Sequence, residues 1–108
     1  MRTLIWHIEA VGPGAAQRES YRLDGDYNPV RVWLRTAAKP TAAELIIDIN
    51  VDGASIFSYQ PRMKDEQDVV SSDFASVQFS KDSLVTLDID QADGIVRGLT
   101  VGLELEEA

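Results

Sequence analysis

Apolar side chains recur at every second position through most of this chain. Leu4, Trp6 and Ile8 alternate with Thr3, Ile5 and His7 until Gly12-Pro13-Gly14 interrupts them, a period of two that predicts a strand ended by two glycines and a proline. A short second strand fits Glu19 to Leu23, closed by Asp24-Gly25-Asp26. A third runs from Pro29 to about Thr36 with Val30, Val32 and Leu34 on one face, and the linker Ala37-Ala38-Lys39-Pro40-Thr41 follows. Leu45, Ile47, Ile49 and Val51 then alternate with Ile46, Asp48 and Asn50, and Asp52-Gly53 leads into Ala54-Ser55-Ile56-Phe57. Asp-Gly between two such runs predicts a hairpin with a type I′ turn. Its return strand ends near Pro61, with Phe57 facing the core.

Residues 62–73, RMKDEQDVVSSD, hold no sustained period and many charges, which predicts a mobile surface loop with room for a helical turn. Phe74 to Phe79 alternates weakly and Leu84 to Asp90 strongly, with Val85, Leu87 and Ile89 inward; Leu99, Val101, Leu103 and Leu105 mark a last strand. The total is about eight strands, with turn signals roughly every ten residues and no helical stripe at the ~3.6-residue period. The expected fold is one all-β domain over residues 1–108, an antiparallel β-sandwich of jelly-roll type.

The stretch DINVDG, Asp48 to Gly53, also places oxygen-bearing side chains as the start of an EF-hand loop does. The twelfth loop position, where a bidentate Glu belongs, falls on Tyr59, and the flanking segments read as strands, so the hairpin is preferred.

Composition narrows the function classes. No apolar run approaches the ~18 residues of a membrane span, and the first residues alternate where a signal peptide would carry an apolar block; a soluble, unprocessed chain is expected. Without cysteine there is no disulfide, zinc-thiolate site or thiol nucleophile. The net charge of −8 is uneven: residues 1–47 hold six Lys/Arg against five Asp/Glu, residues 48–108 four against thirteen. Such a balance disfavours nucleic acid and anionic membranes as partners. An acidic coat that keeps the protein dispersed is the simpler reading than a specific basic partner.

The segments PTAAELIIDINVDGASIFSYQPRM and SLVTLDIDQADGIVRGLTVGLELE resemble a β-sandwich domain of tailed-bacteriophage virion proteins. That family has a Pro-Thr linker, a strand like LIVDIN, a turn ending in Gly, then SIF and a Pro, a later strand like VDIDQ before a Gly, and a closing pattern of Gly-Leu followed by alternating Val and Leu. Here these are Pro40-Thr41, Leu45 to Asn50, Gly53, Ser55-Ile56-Phe57, Pro61, Leu87 to Gln91, Gly94, and Gly98-Leu99 with Val101 and Leu103. With Arg31 and Val32 the likeness spans roughly residues 28 to 106. Ala42 departs from a frequent Gly, Lys81-Asp82 from a Gly-Asp turn, and Gln91 to Gly94 forms a longer turn than usual. The resemblance implies a non-enzymatic virion component, assembled in the host cytoplasm, without catalytic residues or cofactors. It would serve as a capsid decoration or fibre-like module, its partners being phage capsid or tail proteins and other copies of itself, by analogy as a trimer. The alternative is a tail-associated receptor-binding module recognising a host surface glycan.

Candidate chemistry is sparse. Asp88 and Asp90 lie on the outward face of one strand, about 6.5–7 Å apart at Cα, spacing that a glycosidase pair tolerates; an open strand lacks the cleft to raise an acid's pKa, and a solvated face is the simpler account. With Asp93 before Gly94 these acids form a candidate cation cluster, short of a further Glu. His7, the only histidine, falls out of phase with the core, and no Gly-x-Ser-x-Gly elbow accompanies it. Arg31, Trp33 and Arg35 share one strand face opposite Val30, Val32 and Leu34. A tryptophan between two arginines is a candidate contact patch, since Trp and Arg dominate interface hot spots. The patch suits a neighbouring subunit, the acidic flank of another copy or a sugar ring, unless a loop covers Trp33 and the arginines merely flank it.

Overall fold

The computed structural model describes residues 1–15 and 18–108. Nine strands are present among them: β1 (Arg2–Ala10), β2 (Tyr21–Arg22), β3 (Tyr27–Arg35), β4 (Leu45–Val51), β5 (Ala54–Ser55), β6 (Arg62–Met63), β7 (Asp68–Ser71), β8 (Leu84–Gln91) and β9 (Arg97–Glu107). They form two antiparallel sheets, one in the order β1-β9-β3-β7 and one in the order β2-β8-β4-β5, with β6 also on β4. From β1 to β4 the chain changes sheet at every step; β4, β5 and β6 share the second sheet, and β7, β8 and β9 alternate again. First and last strands lie side by side. This is the jelly-roll order, and it matches the fold expected from the periodicity.

The predicted inward residues close one core between the sheets. Leu4, Trp6 and Ile8 of β1 meet Leu99, Val101, Leu103 and Leu105 of β9 and Val32 and Leu34 of β3; the opposite layer supplies Leu45, Ile47, Ile49, Val51, Val85, Leu87 and Ile89. Trp6 is fully buried, and its indole N–H donates to the Glu19 carbonyl at 2.7 Å, which removes the cost of an unpaired donor in the core. Phe57 is buried and stacks on Phe74 at 5.9 Å between ring centroids.

The β4–β5 turn is as predicted: Asp52 and Gly53 have φ of 50° and 85°, the pair of positive values that type I′ requires. Asp52 also ties the turn to β8, its Oδ1 accepting from Leu84 N–H and its own N–H donating to the Leu84 carbonyl, both at 2.9 Å. At Asp82 the backbone takes φ 70°, which an Asp tolerates in place of the expected Gly-Asp turn.

Four expectations are corrected. Residues 62–73 are not a loop: Arg62 and Met63 pair with Ile46 and Leu45, Met63 is fully buried, and Asp68–Ser71 pair with β3. Strands this short carry no readable period, and charged residues on an edge strand read as loop. Phe74 to Phe79 is not a strand but a crossing segment with single bridges, Phe57 to Phe74 and Tyr27 to Phe79. The hairpin's return strand ends at Ser55, because after Ile56 the chain arches away and rejoins β4 only where Ile47 N–H donates to the Pro61 carbonyl at 3.4 Å. Val30 is half-buried, since a register shift between Pro29 and Arg31 turns it from the inward row.

Replacing Phe57 by Ala should cost about 3–5 kcal/mol in urea unfolding, the range for truncating a buried aromatic. A loss below about 1 kcal/mol would show that the Phe57–Phe74 stack contributes little.

Candidate functional site

The register of the first sheet sets the outer faces of its strands in rows. Trp33 opposes Gly102 on one side and Val70 on the other, and Gly102 opposes Ile5. One row, Ile5–Gly102–Trp33–Val70, therefore crosses all four strands, a span of about 14 Å at the usual strand spacing. Ile5 is 45% and Val70 66% exposed. Gly102 is the reason Trp33 lies down on the sheet: a Cβ there would come within 2.1 Å of the indole Cε2. A glycine inside a strand often marks such close approach, and here the ring buries the glycine it covers.

The flanking rows are polar and internally paired. Arg31 Nε donates to Glu104 Oε2 and Arg35 Nε to Asp68 Oδ1, each at 2.8 Å. His7 Nδ1 lies 2.9 Å from Thr100 Oγ1, and its Nε2 is 3.4 Å from Glu9 Oε2. Glu104 is largely covered while Arg31 remains more than half exposed, so the guanidinium is the outermost charge of that pair. Arg31, Trp33 and Arg35, with Asp68, Val69, Val70 and Glu104, line a surface cavity of about 290 Å³. The three predicted residues are thus brought together, and the residues that line the cavity with them belong to strands β7 and β9. The sequence reading missed Ile5, Gly102 and Val70, although an apolar residue out of phase in β1 and a glycine inside an apolar strand were the available signals.

The second sheet's outer face carries the carboxylates. Asp88 directly opposes Asp48, and these two acids share the face with Asp90, each held by a neutral donor. Asn50 donates to Asp88 at 2.7 Å, Ser55 to Asp48 at 2.6 Å and Gln60 to Asp90 at 2.5 Å. Burial pushes the Asp48 carboxyl above its ordinary range, with the Asp90 and Asp88 charges adding to the effect against the Ser55 bond. Asp93 does not join them. Its Oδ1 accepts from Ile95 N–H at 2.8 Å, and its Oδ2 accepts from the N–H groups of Thr41, Ala42 and Ala43 at 3.0, 3.0 and 3.5 Å. Those bonds, Ile95 foremost, lower its pKa from 3.8 to about 2. Among the described residues no three His, Asp or Glu side chains gather as a group suited to a metal ion.

Comparison with known proteins finds no matching family model, curated protein or solved structure.

Two measurements follow from this geometry. Gly102→Ala should lift the Trp33 ring off the sheet and shift its fluorescence emission to the red while the buried Trp6 signal holds; an unchanged spectrum would mean that the ring does not rest on Gly102. Asp93→Asn should lower the melting temperature at neutral pH. The folded pKa of about 2 lies below the unfolded 3.8, so the ionised carboxylate stabilises above roughly pH 4 and that contribution disappears as pH falls toward 2. The gap between the two proteins should close over that window, and a gap independent of pH would assign the effect to shape alone.

Proposed function

We propose that this chain is a non-enzymatic bacteriophage virion protein, a capsid decoration or fibre-like surface module that acts by adhesion. The observation that carries the adhesive role is the partly exposed apolar row centred on Trp33 and walled by Arg31 and Arg35. Its apolar centre, polar rim and Trp/Arg content follow the anatomy of protein–protein interfaces. Because the rim charges are already paired within the sheet, a partner can cover the row without stranding an unpaired charge.

Placement on a virion rests on the resemblance. Arg31 alone among the residues that carry it lines the Trp33 cavity; the others are strand and connecting positions of the sandwich, such as Leu45 to Asn50, Gly53 and Leu99. The likeness therefore speaks for the scaffold, and the Trp33 face for what the scaffold presents. A module that binds only the assembled shell stabilises it by mass action. Tail-borne glycan recognition is the second reading, favoured by the partly exposed indole, whose flat ring suits stacking against a sugar.

The test is to locate the protein on purified virions with a labelled antibody under the electron microscope, and then to compare shell binding of Trp33→Ala. Label over the head and weakened binding by a folded variant are expected. Label at the tail end would transfer the Trp33 face to glycan recognition, and virions without label would remove the virion reading.

A further inference from the structure

The two edges of the first sheet are finished differently. Thr36 N–H donates to the Gln67 carbonyl at 3.0 Å, and that pair continues the β3–β7 register, in which Arg35 opposes Asp68, Leu34 opposes Val69 and Trp33 opposes Val70. Bonded and non-bonded pairs alternate along an antiparallel ladder, so Leu34–Val69 is bonded and Trp33–Val70 is not. The amide and carbonyl of Val70, and likewise of Asp68, therefore point away from β3 to the open side of the sheet.

Counting across the sheet, Trp33 bonds Gly102, and Ile5 on β1 must turn its own amide and carbonyl to the opposite open side. There the Ile5 carbonyl accepts from Tyr21 Oη at 2.5 Å, which agrees with the counting and blocks that edge, helped by the Trp6 bond to Glu19. Among the described residues nothing equivalent occurs at β7. Among the described residues none bonds the outward amide or carbonyl of Val70, and a depression of about 260 Å³ lies between β7 and the arch of Tyr59, Gln60, Pro61 and Arg62.

We propose that a second copy of this chain pairs here, β7 against β7 about a two-fold axis, joining two four-stranded sheets edge to edge. Three observations select a second copy. Two-fold antiparallel pairing centred on Val70 sets Val70 against Val70 and Asp68 against Ser72, so no like charges face each other. The apolar row, which ends at Val70, continues directly into the partner's identical row. Pairing β7 with β1 of another copy would build an open-ended sheet, and Tyr21 stands in its way. An exposed edge strand with a protruding Val is a template for such pairing. The interface is isologous and closed, giving a two-fold pair where the resemblance implies a trimer, and it does not depend on the virion reading.

Sedimentation equilibrium over a wide concentration range should show a monomer–dimer equilibrium. Val70→Pro removes an N–H that the fold itself does not use, and should give a monomer with an unchanged far-ultraviolet spectrum. Independently, facing residues of a bonded pair have Cα atoms about 5.5 Å apart, within the ~4.4–6.8 Å that a disulfide spans. Since the chain has no cysteine, Val70→Cys should oxidise to a single cross-linked dimer, and Ile5→Cys, exposed on the same face at the blocked edge, should not. A monomer at every concentration, a dimer that Val70→Pro leaves intact, or cross-linking no faster at Val70 than at Ile5 would each overturn the proposal.

Discussion

Strand β9 sets the register on which the rest of the first sheet depends. It is hydrogen-bonded on both sides, to β1 and to β3, and Leu99, Val101, Leu103 and Leu105 are all completely buried. A slip of one residue would drive Thr100, Gly102 and Glu104 into the core and those four side chains into water, at a cost of roughly 1.5–3 kcal/mol for each exposed side chain. The register therefore cannot drift, and the outer face inherits that rigidity. Trp33, Gly102 and Ile5 stand in line because Leu34, Val101 and Trp6, the next row along, are locked on the other side.

The same lock explains why an apolar row can sit in view of solvent. Gly102 gives up a side chain so that the Trp33 ring can lie against the backbone, recovering contact area that a flat glycine would leave bare. On both sides of the ring the long arginines are tied along the sheet by Glu104 and Asp68. Such exposed pairs add little stability; their effect is to hold the guanidinium groups beside the ring. The face is therefore ordered before any partner arrives, which lowers the side-chain entropy lost on binding.

How much of this was legible in the sequence follows from strand length. Long strands with one buried face write their period plainly, so β1, β4, β8 and β9 were readable, and the facing of Trp33, Arg31 and Arg35 came with the reading of β3. Asp52-Gly53 was readable because a type I′ turn accepts few residues. Strands β6 and β7 were not, since two to four residues cannot display an alternation and their flanks are charged. Phe74 and Phe79 misled for the opposite reason: they are apolar and close in sequence, but they plug the core from a crossing segment. The row through Ile5, Gly102, Trp33 and Val70 joins four separate strands, and no single segment of sequence carries it.

The acidity of the second half is more than a coat. Asp93 gathers the N–H groups of residues 41–43 and 95, Asp52 holds the start of β8, and in the first half Asp26 accepts from Lys81 N–H at 2.8 Å. A turn leaves amides pointing outward without a ladder partner, and a carboxylate satisfies several at once. Asp93 and Asp52 are both held below the ordinary carboxylate range, mainly by backbone N–H bonds, and Asp24 is lowered mainly by the Tyr27 hydroxyl. Asp48, on the outer face of the second sheet, is shifted the other way, mainly by burial. With a folded pKa above the unfolded one, its contribution to stability declines as pH rises through that interval, whereas those of Asp24, Asp52 and Asp93 are lost as pH falls through theirs. Acid therefore loosens the turns that join the strands while relieving the partly buried Asp48 carboxylate on the sheet, and the sandwich core, built from apolar side chains, is affected only through its connections.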